Sequence, residues 1–332
     1  MFFVVTCHLM SAFPAGEYST LNGWLVNLYD GIGAFKVDGF VMITGYFMIG
    51  SRFKVLRFVK LFIEATLYVG LISLILKFVG PQPVSWGEVA KSFVILGPSK
   101  YNYWFITNYL ALLALQPFIA RMVRGLSRGR YLWLLGILLT LCTTLVTGFP
   151  FGYKFGGGFS FQWFLCLFLI GGYIRMHGFG RVHNNRLFWG IAFVVSVAAV
   201  TLSSRFLPTV VSLSYDSVLV VLAGISAFML FVNIRIESPK VGRVSRHMLS
   251  VYIIHVHPLL LPVILALVSP LMPPVTSPWL VPAWILAGIL VMAGCVVVDK
   301  LRMWLFEKLH IYECITSVSG SIETKLRNML YK

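Results

Sequence analysis

Residues Lys36–Phe53 read KVDGFVMITGYFMIGSRF, and the reading of this stretch decides the fold. Its middle is apolar, and its charges stand only at the ends: Lys36 and Asp38 at one, Arg52 at the other. The surrounding run, 31–50, has the length a helix needs to cross a hydrocarbon core, about 20 residues. A basic loop follows at once, with Arg52, Lys54, Arg57 and Lys60.

The rest of the chain repeats this grammar. Of its 332 residues, 58% are hydrophobic and only 11% charged, and mean hydropathy is +0.86. A soluble domain carries about 25% charged residues, so too few polar groups are present to cover a surface in water. The class is a multi-pass membrane protein. Ten apolar runs are predicted to span: 1–13, 31–50, 58–79, 101–120, 131–149, 159–175, 187–206, 216–234, 247–268 and 279–299. Lys and Arg crowd alternate loops, around Arg57, Arg124, Arg181, Arg243 and the tail, while the loops between hold little more than Lys91, Lys100 and Lys154. Basic loops stay in the cytoplasm. The expectation is an all-α polytopic membrane helix bundle of about ten transmembrane helices in a bacterial inner membrane. Both termini are cytoplasmic, with a membrane domain over 1–299 and a cytoplasmic tail over 300–332. The net charge of +16 then reads as a topology signal and as contact with anionic lipid, not as nucleic-acid binding. The five cysteines show no CxxC spacing and read as small buried hydrophobes, supporting neither disulfide framework nor metal site.

Polar groups within spans are costly and tend to be functional. His8 lies in FFVVTCHLMSAF, a first run of about 20 Å as a helix, short of the roughly 30 Å core; the first helix reads as N-terminally shortened. His8 is either a general acid–base near neutral pH or a hydrogen-bonded interhelical histidine. Asp38 is placed to orient a histidine ring or to pair with Lys36, and Thr44-Gly45 to serve chemistry or tight helix packing. Arg57 and Lys60 share one helical face. With Arg52 they form a cationic cluster suited to nucleotide phosphates, or simply an orientation signal, and Glu64 is expected to pair with this cluster. In YNYWFITNYL, Tyr101–Leu110, the aromatic residues form an interfacial belt or a stacking platform for a sugar, with Asn102 and Asn108 supplying hydrogen bonds. His255 and His257 stand two apart, so at most one is expected to face the interior if both are on one helix.

Taken in order, these elements resemble the acyltransferase 3 family of bacterial integral-membrane O-acyltransferases. The likeness rests on an early His in an apolar run and on VDGFVMITGYFM, similar to the family's VDxFFxxSGF. It also rests on Arg57-Phe58-Val59-Lys60, similar to RxxR, on YWFITNYLALLALQPF and on a late SVYIIHVHPL. Thr44 stands in place of Ser and Lys60 in place of Arg. The family's first helix typically holds an Arg about eleven residues before the His, three turns away on the same face, and here that position falls before Met1.

The resemblance implies an acyl-CoA donor, usually acetyl-CoA, with no metal, and a glycan or lipid-linked sugar acceptor. It implies His8 as base, Asp38 and Thr44 as its helpers in fixing the ring and stabilising the oxyanion, and Arg52, Arg57, Lys60, Arg121 and Arg124 around the phosphates. Tyr103, Trp104, Asn108 and His255 would line the acceptor's approach. A transient acyl-histidine is the alternative route. A glycan transporter and a non-catalytic homologue are the competing classes.

Overall fold

The computed structural model describes residues 1–12, 21–96, 100–101, 103–143, 158–206, 213–234 and 237–330. Pro14, Asn102, Lys154, Arg235 and Lys332 lie outside these, as do the side chains of Arg205 and Arg327. Over the described residues each apolar run carries a helix. In chain order they are α1 (Phe2–Leu9), α2 (Leu21–Gly33), α3 (Lys36–Met48), α4 (Val55–Val79), α5 (Trp86–Ser92), α6 (Trp104–Arg124), α7 (Arg128–Cys142) and α8 (Phe161–His177). Then come α9 (Arg186–Phe206), α10 (Val218–Val232), α11 (Pro239–Ser245), α12 (Met248–His255), α13 (Leu261–Val268), α14 (Leu280–Lys308) and α15 (Ile311–Leu330). There is no strand among the described residues.

Four helices are long and apolar enough to cross a membrane: α4, α6, α9 and α14. Residues Phe2–Ala12, α10 and Leu261–Leu271 are shorter apolar helices. The structure is that of a helical membrane protein; among the described residues four helices meet the length and hydropathy of a crossing, and the ten spans the sequence suggests are an expectation beyond them. On α9, Leu187, Ile191, Val194, Val195 and Leu202 are exposed, a stripe at helical spacing. In water such a stripe would be a liability; against lipid tails it costs nothing.

The helices depart from the expected pattern at four places. The 14–30 loop holds α2, whose mixed sequence LNGWLVNLYDGIG hides it from a search for apolar runs. The 80–100 loop holds α5, opened by a capping box in which Ser85 accepts from the Glu88 amide and Glu88 from the Ser85 amide. The tail is helical: α14 runs on to Lys308, and the amphipathic α15 follows. The 247–268 run is broken between His255 and Leu261. Pro258 disfavours helical backbone at His257, and neither Pro258 nor Pro262 has an N–H to give. The His257 ring fills the gap: Nδ1 accepts from the Leu259 amide at 3.2 Å, and Nε2 lies 3.1 Å from the Val69 carbonyl and 3.3 Å from Ser73 Oγ.

The chain divides into two compact units. One comprises Met1–Asn22, Phe53–Leu110 and Ser238–Lys332; the other Gly23–Arg52 and Ala111–Glu237. In the second, α8 is buried on all sides from Trp163 to Ile174 apart from Leu165, and α3 lies directly on it. A Cβ on Gly45 would fall 2.0 Å from the Phe168 carbonyl oxygen, and one on Gly171 would fall 2.1 Å from that of Met42. The two backbones thus touch through reciprocal glycines, and Gly45 serves this packing. Cys142, Cys166 and Cys295 are buried, Cys7 is half-buried and Cys314 exposed, all as free thiols.

Candidate active site

In the first unit, α1 is held against α14. The Trp284 indole donates to the Thr6 carbonyl at 2.9 Å, and the Thr6 hydroxyl donates to the Phe2 carbonyl. Gly288 makes the approach possible, because a Cβ there would lie 2.4 Å from the Thr6 methyl. Val5, Thr6 and Leu9 are buried. Two residues beyond Thr6, the half-buried His8 ring turns to α12, where Nδ1 lies 3.0 Å from Nε2 of His255. The ring centroids are 5.1 Å apart. His255 is itself fixed, with Nδ1 2.6 Å from the Val251 carbonyl one turn back. It is the last residue of α12 because of the proline break. Irregular backbone among apolar spans is tolerated where protein buries it or where it lines a cavity.

Replacing Gly288 by valine is expected to push Thr6 off α14 and carry His8 with it. A misplacement of about 1 Å costs on the order of 10²-fold in rate. Acyl transfer in isolated membranes should fall by that factor while protein level holds.

The other expected site residues distribute as follows. His255 and His257 are both buried, against the expectation of at most one, because the helix ends between them. Asp38 is fully buried, and its Oδ1 accepts from Trp163 Nε1 at 3.2 Å. The Lys36 ammonium stands over the Tyr215 ring. Thr44 gives its hydroxyl to the Phe40 carbonyl at 3.1 Å within α3. Tyr103 is buried, and its hydroxyl donates to the Ile253 carbonyl at 3.0 Å, so it holds α12 in place and presents no open platform. Trp104 and Asn108 are half-buried on the first turns of α6. An aromatic series does border the histidines: Tyr109 stacks on Phe105, Phe105 meets Tyr252, and Tyr252 meets His255, with centroids 6.0, 5.4 and 6.2 Å apart.

Arg57 and Lys60 stand exposed on the first turns of α4. Arg52, Arg121 and Arg124, also exposed, belong to the other unit. Glu64 is not simply a partner of the basic loop. It accepts from Arg302 at 3.0 Å and keeps Lys60 at 3.9 Å.

Arg302 belongs to a polar cluster that sequence reasoning missed. Asp299, fully buried, accepts from His247 Nδ1 at 2.6 Å, Ser250 Oγ at 2.7 Å, Arg302 Nε at 2.8 Å and the Tyr68 hydroxyl. Arg302 also donates to Tyr312 of α15 at 2.7 Å. The signal available in the sequence was Asp299 closing an apolar run, three residues before an arginine; a carboxylate there must find partners.

No curated protein and no solved structure matches the chain. One family model, described as an acyltransferase domain, matches residues 1–300. With that match over nearly its whole length, and with helices fit to cross a bilayer, the chain belongs to the acyltransferase 3 family and is a membrane acyltransferase.

Proposed function

We propose that this acyltransferase moves an acyl group, acetyl in the first instance, from cytoplasmic acyl-CoA to a hydroxyl of a cell-surface or lipid-linked glycan. The single observation that carries the reading is His8, a half-buried imidazole whose Nδ1 lies 3.0 Å from His255 Nε2, on a helix that packs tightly on α14. As the acceptor oxygen attacks the thioester carbonyl, His8 takes the hydroxyl proton. The carbon–sulfur bond then breaks, and the leaving thiolate takes that proton back from His8. The products are an ester and the free thiol. Arg57 and Lys60, exposed at the basic end of α4, suit the donor's phosphates; Arg52, Arg121 and Arg124 are the further candidates. The aromatic series from Tyr109 to Tyr252 suits the apolar face of a sugar ring.

The test is mass spectrometry of surface glycans from cells with and without the gene, paired with turnover of labelled acetyl-CoA in membranes. Acetyl esters should disappear with the gene, and label should pass into glycan. Unchanged ester content together with no donor turnover would exclude the reading.

A further inference from the structure

We infer that the end of α8 is a seat for anionic phospholipid, where Arg128 and Arg175 hold headgroup phosphates and the acyl tails lie along α7 and α3. The inference does not depend on the acyl-transfer reaction. Both arginines are exposed, and both belong to the second unit. Arg175 stands in the last turn of α8. Its guanidinium lies over the Tyr46 ring of α3, 5.1 Å from the centroid, and Nη1 donates to the Tyr46 hydroxyl at 3.4 Å. Arg128 is the first residue of α7, and its Nε donates to the Tyr173 hydroxyl of α8 at 3.2 Å. Tyr131 ties the same two helices together: its hydroxyl donates to the Leu169 carbonyl at 2.9 Å, and its ring meets that of Tyr173 edge-on.

A phenol orients a guanidinium without cancelling its charge. Among the described residues neither arginine has a carboxylate partner, and each spends one of its five N–H groups on a tyrosine. The first unit treats its cations differently, with Arg302 against Glu64 and Asp299 and Lys100 against Glu88. Two oriented guanidinium groups with uncancelled charge suit the oxygens of a phosphate.

The apolar surface beside them indicates which phosphate. On α3, Phe40, Ile43 and Phe47 are exposed at helical spacing, and the Phe47 ring meets that of Tyr46 with centroids 5.2 Å apart. On α7, Trp133, Ile137 and Leu141 form a second exposed stripe, which starts within two turns of Arg128. A soluble phosphate would leave both stripes bare. A phospholipid covers them with its tails while its headgroup meets the arginines, and a net negative headgroup gains the most from them.

The experiment is native mass spectrometry of the full chain released from nanodiscs of equal parts phosphatidylglycerol and phosphatidylcholine with identical tails. The parent should keep phosphatidylglycerol over phosphatidylcholine by about 10- to 30-fold, from about fivefold for each arginine. Arg128→Gln combined with Arg175→Gln should reduce that preference to about twofold or less. Arg130→Gln combined with Arg186→Gln removes two exposed arginines of the same unit that no tyrosine holds among the described residues, and should leave the preference within about twofold of the parent. If this second pair lowers it as far as the first, the attraction is diffuse and the inference falls. It falls equally if the parent does not discriminate between the two lipids. Millimolar inorganic phosphate or CoA should leave the lipid bound; displacement by either would show a site for a soluble anion and overturn the lipid reading. If the Arg128→Gln, Arg175→Gln protein does not fold, the parent decides. Phosphatidylglycerol with a photoreactive tail should label α3 or α7 along the two stripes, and label confined to other helices overturns the inference.

Discussion

Changing His8 to glutamine is expected to lower acyl transfer by 10²- to 10⁴-fold, the range over which a positioned general base acts. Glutamine is similar in size and can still hydrogen-bond toward His255, so the pair's packing is largely kept while the titrating nitrogen is lost. The fold should survive. The anchors of α1 lie at Thr6, Trp284 and Gly288, and none involves the ring. The measurement is turnover of labelled acetyl-CoA in membranes alongside a melting curve of the purified protein. Lost turnover with an unchanged melting temperature identifies a chemical defect. Turnover at the parental rate sinks the assignment.

Replacement of Asp299 by leucine should produce the largest loss of stability. Leucine is close to aspartate in length and removes every acceptor at once. Tyr68, His247, Ser250 and Arg302 would each lose a partner inside the protein. Breaking a buried ion pair from one side costs about 3–5 kcal/mol; Arg302 keeps Glu64 and Tyr312, so the loss should lie toward the lower end, with the unpaired Tyr68, His247 and Ser250 adding to it. Tyr68→Phe, which deletes a single hydroxyl, should cost about 1 kcal/mol. Melting of the two variants in the same detergent checks the order. Equal midpoints for Asp299→Leu and the parent would show that the cluster contributes nothing.

Much of the helix content was legible because hydropathy is a local property, and each long apolar run does become helix. The breaks and amphipathic pieces were harder to read. Leucine and valine carry the 247–268 run straight through Pro258 and Pro262, so average hydropathy conceals an interruption that backbone sterics impose. Partners were harder still. His8 and His255 are 247 residues apart, and Asp38 and Trp163 are 125 apart; spacing along the chain carries no information about such pairs. The sequence singles out His8 as a polar group in an apolar run, but nothing along the chain names His255 as the ring's neighbour. Asp299 was legible in principle, as a carboxylate that apolar surroundings would not tolerate alone.

The polar cluster around Asp299 also reaches past the part of the chain that the family match covers. Arg302 and Tyr312 lie beyond residue 300. Trimming the gene to the matched stretch would strip Glu64 and Asp299 of their guanidinium and leave two like charges facing each other. A reporter fused there should give poor yield, whereas one attached behind α15 should be tolerated.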